Sequence, residues 1–166
     1  MKIHNKTLSD LEFQTVLDQV TDYCVTELGR SMVQACIPFT EKTELFNELN
    51  YVNEYKASFD NDNRIPNHGF EAITKELKLL KIENTYIETP GLQKIVRLAL
   101  TTKSVLIFLT KFKEYYPGLF KKSQSIESNN TIVEQIDAVV DRFGDIKDDA
   151  SPQMQDLRKS IGKVKS

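Results

Sequence analysis

The run Asp60-Asn61-Asp62-Asn63 puts oxygen-bearing side chains where a calcium-binding loop begins, and Glu71 stands at the twelfth position of that pattern. The loop also needs an oxygen donor at its fifth position and a glycine at its sixth, where the chain turns sharply. Arg64 and Ile65 hold those two positions, so a guanidinium would stand among the ligands and calcium is rejected. A second acidic group is Asp141, Asp145, Asp148 and Asp149. Magnesium is held through one or two carboxylates. The end of a helix and a solvated turn use the same residues. The histidines, His4 and His68, fall in no metal-ligand spacing, and zinc needs three or four convergent ligands. His68 precedes Gly69 in a polar loop, where a turn residue is the ordinary role. No Gly-x-x-x-x-Gly-Lys-Ser/Thr, Gly-x-Gly-x-x-Gly or Gly-x-Ser-x-Gly occurs. The loop that cradles phosphates, the dinucleotide fingerprint and the nucleophile elbow are therefore missing. The expectation is a chain with no catalytic, cofactor-binding or metal-binding residue, and so no enzyme by itself.

Positive charge gathers between Lys94 and Lys122. Lys94, Arg97, Lys103, Lys111, Lys113, Lys121 and Lys122 face Glu114 as the single acid of that stretch. A phosphate-binding surface has this composition. So has the solvated face of an amphipathic helix. Phe108, Phe112, Tyr115 and Tyr116 interleave with Lys111 and Lys113, as in a base-stacking platform. Phe108 and Phe112 stand four apart, however, a spacing that turns both to one side of a helix and favours core. Nucleic-acid contact stays open here.

These residues are carried by 166 residues, enough for one domain, or one domain with an extension, and for a core without disulfide or metal. Net charge is −2, with residues 1–69 at −5 and residues 70–166 at +3. No apolar run approaches the roughly 20 residues that cross a bilayer, and Met1 to Lys6 lacks the apolar stretch of a signal peptide. Cys24 and Cys36 form no Cys-x-x-Cys and lie in apolar helical surroundings, which reads as buried free thiols in a reducing cytoplasm. There is no internal repeat.

The positioning elements are helices. Leu11, Val16, Leu17, Val20 and Cys24 mark one face of a first helix, capped by Thr7 or Ser9. Thr26-Glu27 opens a second, ending before Pro38. Thr40 caps a third, with Leu45, Leu49, Val52 and Phe59 as its buried stripe and Tyr51 and Tyr55 flanking. A polar loop covers Asp60 to Gly69, and a short helix spans Phe70 to Leu80. Thr89-Pro90-Gly91 opens the longest helix, which runs to about Tyr115, since proline at the first helical position loses no bond. Leu92, Ile95, Val96, Ala99, Leu106 and Leu109 form one apolar side; Leu98, Val105, Phe108 and Phe112 form another. Apolar residues on two sides predict a helix packed between neighbours at the centre of a bundle. Lys121 to Thr131 reads as a loop, Thr131 caps a further helix with Ile132, Ile136, Val139 and Val140 inward, and Gly144 stops it.

Ser151-Pro152 starts the last helix. Its apolar positions Met154, Leu157, Ile161 and Val164 are spaced three, four, three, the seam of a coiled coil. The helix reaches Ser166 with no capping glycine, so the expectation is a longer helix cut short, against a terminal helix that frays.

Three stretches together carry a resemblance. They are Asn5-Lys6-Thr7-Leu8 with Leu11-Glu12-Phe13 and Val16-Leu17; Glu27-Leu28-Gly29-Arg30 with Pro38; and Asp145 to Pro152 continuing to Leu157-Arg158. In order and spacing the chain resembles the N-terminus of the MutS-two endonucleases, bacterial paralogues of the mismatch-repair protein MutS. Gln153-Met154 departs from the Glu-Leu expected there. The resemblance implies an all-α, irregular multi-helix bundle like the MutS core domain. Residues 1–150 would be the helical core and residues 151–166 the start of a lever helix. It implies a parent ATPase using ATP and magnesium, with a nuclease domain. That parent would be a cytoplasmic homodimer acting on branched or recombining DNA, on collided ribosomes, or on both. The partners of this segment would be the lever, clamp and ATPase domain of its own chain, and no membrane. The competing expectation is a stand-alone helical adaptor module.

Overall fold

The computed structural model describes residues 3–165, with side chains described as far as residue 161. The fold is all-α. Among the described residues there are nine helices: α1 (Asn5–Asp10), α2 (Phe13–Asp22), α3 (Glu27–Gln34), α4 (Lys42–Asp60), α5 (Thr74–Leu79), α6 (Thr89–Lys111), α7 (Pro117–Ser123), α8 (Asn130–Asp137) and α9 (Pro152–Lys165). Extended pairing among them is limited to one bridge, Val140 with Ile146. No helix of the described residues is long and apolar enough to cross a membrane.

The chain divides into two compact units. The first holds Met1–Ala72 and Thr101–Glu127; the second holds Ile73–Leu100 and Ser128–Ser166. Helix α6 contributes to both, changing unit after Leu100.

In the first unit, the single N-terminal helix expected from the apolar face is two. Leu11 N–H donates to Thr7 O and Glu12 N–H to Ser9 O, tightening the last turn of α1. Glu12 then takes a left-handed backbone (φ 50°), and α2 restarts at Phe13. Neither Thr7 nor Ser9 caps: helix α1 begins before both, at Asn5. Only Leu17 of the expected face is buried; Leu11, Val16 and Val20 are exposed. Helix α3 starts as expected, with Thr26 Oγ1 accepting from Gly29 N–H at 3.0 Å. Helix α2 packs on α3 and α1, and α4 packs on α7. The cap of α4 is Glu41 instead of Thr40. Both thiols are free, but neither is buried: Cys24, in the turn after α2, is half-buried and Cys36, just past α3, is exposed.

Tyr116 anchors this unit. It is completely buried, and its hydroxyl donates to Asn63 O at 2.7 Å. Its ring lies 5.6 Å from that of Phe108, which lies 4.8 Å from Phe112. Helix α6 ends at Lys111, four residues earlier than expected, but helical-type bonds from Phe112 N–H and Tyr116 N–H carry the turn on to Pro117. Of the ten side chains assigned to the two apolar sides of α6, Ile95 and Leu109 are buried and the other eight half-buried.

In the second unit α8 is capped by Asn129, whose side chain accepts from Ile132 N–H at 3.2 Å, and not by Thr131. It ends at Asp137, before Gly144. Gly144 sits in the following turn with φ 93°, a conformation that favours glycine. Ser151 caps α9 as expected, its Oγ accepting from Met154 N–H at 3.1 Å.

Candidate functional site

Three of the residues that invited chemistry, Asp141, Asp148 and His68, make contacts within the fold. Asp141 Oδ1 accepts from Phe143 N–H at 2.8 Å and Asp145 N–H at 2.9 Å, closing the turn that Gly144 permits. The Asp145 amide, together with those of Phe143 and Gly144 and the charge of Lys147, holds the Asp141 carboxyl below the usual carboxylate range. Asp148 pairs with Arg158 at 3.0 Å, tying the loop to α9. Among the described residues no three His, Cys, Asp or Glu side chains converge as metal ligands. His68 is a turn residue: its Nδ1 donates to Pro66 O at 3.0 Å, leaving Nε2 to accept from the Tyr55 hydroxyl at 3.1 Å. In the rejected calcium loop, the Asn63 carbonyl is occupied by Tyr116.

The basic stretch is divided between the two units, with Lys94 and Arg97 in the second and the other five in the first. Lys122 bonds Glu48 at 3.1 Å and lies over the Tyr51 ring at 4.5 Å. Lys111 lies over Phe112 at 5.1 Å. Lys111, Lys121 and Lys122 stand in last turns of helices, where cations complement the dipole. Of the interleaved aromatics Tyr116 is buried, Phe108 and Phe112 are half-buried, and Tyr115 is exposed.

The surface feature that stands apart is α4. Its polar side packs inward: Ser58 is buried, and Tyr51 and Glu54 are half-buried. Glu54 explains why. Its carboxylate accepts from Gly118 N–H and Leu119 N–H, both at 2.8 Å, satisfying the first turn of α7. The stripe expected to be buried is turned outward instead. Leu45, Leu49, Val52 and Phe59 are 37%, 47%, 60% and 58% exposed. Their spacing, with Lys56 in the one remaining seam position, is four, three, four, three, which is the seam of a coiled coil. The second such seam, on α9, is also open: Leu157 and Ile161 are exposed and Met154 half-buried, while Val164 lies outside the residues whose side chains are described. Sequence reasoning found the seam on α9 but took the apolar stripe of α4 for core. The signal it missed is Glu54, a carboxylate on the polar side with a use elsewhere in the fold.

The fold is thus that of a helical segment with apolar seams facing outward. No protein-family model matches the chain. Several curated proteins do. Endonuclease MutS2 of Symbiobacterium thermophilum is 23% identical over 156 residues, spanning 94% of this chain and 19% of that protein. Endonuclease MutS2 of Aquifex aeolicus is 25% identical over 162 residues, spanning 98% of this chain and 21% of its own. That of Bacillus velezensis is 23% identical over 168 residues, with 99% and 21% covered. The resemblance to MutS-two endonucleases therefore extends over nearly the whole chain, which spans about one-fifth of the length of these relatives.

Proposed function

We propose that the chain is a non-catalytic helical segment of a MutS-two-type protein, and that the outward seam of α4 seats a helix from the rest of that protein. The observation that carries this reading is the inversion of α4. A helix with its polar side packed and its apolar seam in water leaves favourable burial unused, roughly 25 cal/mol for each Å² of apolar surface that a partner would cover. The reading is supported by coverage: the chain matches about one-fifth of the length of its relatives, which leaves four-fifths from which a partner helix could come.

In this reading residues 1–150 form a helical core and residues 151–166 begin a lever helix, with the α9 seam as one arm of a helical pair. ATP hydrolysis and DNA cleavage belong to the remainder of the parent, a homodimeric cytoplasmic protein acting on branched or recombining DNA or on ribosomes. The segment's role is to hold the lever against the ATPase domain.

The test is reconstitution in two pieces. The chain and the remainder of its own reading frame are expressed as separate polypeptides, and the chain is captured by a tag. Co-purification of the remainder, lost in Leu49→Asp/Val52→Asp, is the expected result, with neither ATPase nor nuclease activity in the chain alone. A stop codon directly after Ser166, or co-purification indifferent to the double substitution, overturns it. The stop codon would favour the adaptor reading instead.

A further inference from the structure

The outward seam of α4 carries two cations. Lys56 holds the seam position between Val52 and Phe59, and Lys42 stands three residues before Leu45, so the same spacing reaches it. Lys42, Leu49 and Lys56 thus recur once per heptad, alternating with Leu45, Val52 and Phe59. The two lysines are two heptads apart, about 21 Å along the helix at 1.5 Å per residue. Both are exposed. Neither makes an ion pair among the described residues; Lys42 lies over the exposed Phe46 ring at 5.6 Å.

Helix α4 itself gives these charges no use. Lys42 is its first residue, where the dipole favours acids, and Lys56 lies short of the last turn, where it favours bases. The acids of α4 do not serve them either. Glu48 is taken by Lys122, and Glu54 by the amides of α7. Glu44, one heptad before Tyr51, belongs to the packed side. Asp60, one turn beyond Lys56, makes no ion pair with it.

A helix seated on the seam takes the Lys56 ammonium out of water, because Val52 and Phe59 flank it. A desolvated charge is costly unless an opposite charge meets it. A neutral or basic partner leaves the ammonium unpaired and is selected against. Lysine at a seam position is a known device for setting register, at some loss of stability.

Resting on the reading that α4 seats a helix from the rest of its protein, we propose that this helix is acidic. It is amphipathic, with carboxylates opposite Lys42 and Lys56 and apolar residues between them covering Leu45, Leu49 and Val52. The two pairs fix its register. A slip of one heptad sets a carboxylate against Leu49 and leaves both lysines unpaired.

The test measures binding between the captured chain and the separately expressed remainder of its reading frame. The deciding variant is Lys42→Met/Lys56→Met, because methionine completes the apolar seam. Facing carboxylates, it strands two acids in the interface, and binding should fall about ten-fold or more. Facing a neutral or basic helix, it should bind more tightly. Lys42→Glu/Lys56→Glu should weaken binding further through like-charge contact. Circular dichroism checks that both variants keep the helix content of the unaltered chain. Equal or tighter binding by either variant overturns the proposal. If Leu49→Asp/Val52→Asp abolishes binding while the methionine variant keeps it, the seam reading stands and the acidic partner alone falls. If the remainder does not bind, or binds all three variants like the unaltered chain, both fall.

Discussion

Tyr116 holds together parts of the first unit that are far apart in sequence. Its ring fills the space beside Phe108, and its hydroxyl is the donor for the Asn63 carbonyl in the loop after α4. Tyr116→Phe keeps the ring and orphans that carbonyl, which should cost about 1–2 kcal/mol of unfolding free energy. Tyr116→Ala empties the site as well and should cost about 3–5 kcal/mol. Urea titration followed by circular dichroism reads both, and equal losses would mean that the hydrogen bond and the packing are not separable. Asp141 makes a prediction about acid. Its carboxyl is more acidic in the folded chain than in the unfolded one, chiefly because the Asp145 amide bonds the charged form. Folding therefore favours the ionised group. That contribution is present above the ordinary carboxylate pKa and fades as pH falls through the lowered folded value. Asp141→Asn should leave a melting temperature that changes less steeply over the acid range than that of the unaltered chain.

Helix α7 depends on a residue more than sixty positions away. Pro117 opens it without needing a partner, and Glu54 supplies acceptors for the next two amides. Glu54→Ala should cost about 1–2 kcal/mol, the range for a lost cap, and Glu54→Gln less, because one acceptor survives. Gly118→Ala tests the same contact from the other side. Its Cβ would stand 2.8 Å from Glu54 Oε1 and 3.0 Å from the Tyr51 ring, so it should displace the cap and match the loss in Glu54→Ala. Thermal melts of the three variants are sufficient, and a neutral Gly118→Ala would count against the geometry. This dependence is also why Pro117–Ser123 was not legible as a helix. Its local signals read as the end of α6 and a loop, and its capping group lies on α4.

For the whole molecule, the outward seam of α4 reverses the usual expectation for leucines at helical spacing. Leu49→Asp and Val52→Asp would be severe in a core. On this surface each should change stability by no more than about 0.5 kcal/mol. The isolated chain should also bind an apolar dye such as ANS and associate at high concentration, and the double variant should do both less. Dye fluorescence and light scattering on the two proteins check this; a collapse of the melting temperature in the variant would return the seam to the core.

The amino-acid sequence by itself determined that the chain is helical, where α3, α6 and α9 begin, and that Thr26 and Ser151 cap. These are local matters, decided by apolar period and by side chains within one turn of the amides they satisfy. It also carried the resemblance to MutS-two endonucleases, through the order of short runs such as Asp145 to Pro152. Periodicity reports that a helix has an apolar side but not which side is covered. Only the tertiary structure decided that α4 packs through Glu54 and Ser58 and leaves Leu45, Leu49, Val52 and Phe59 outside. The burial of Glu76 was illegible for the same reason: an acid in the helical run Thr74–Leu79 looks solvated until Gly91 of another helix is laid against it.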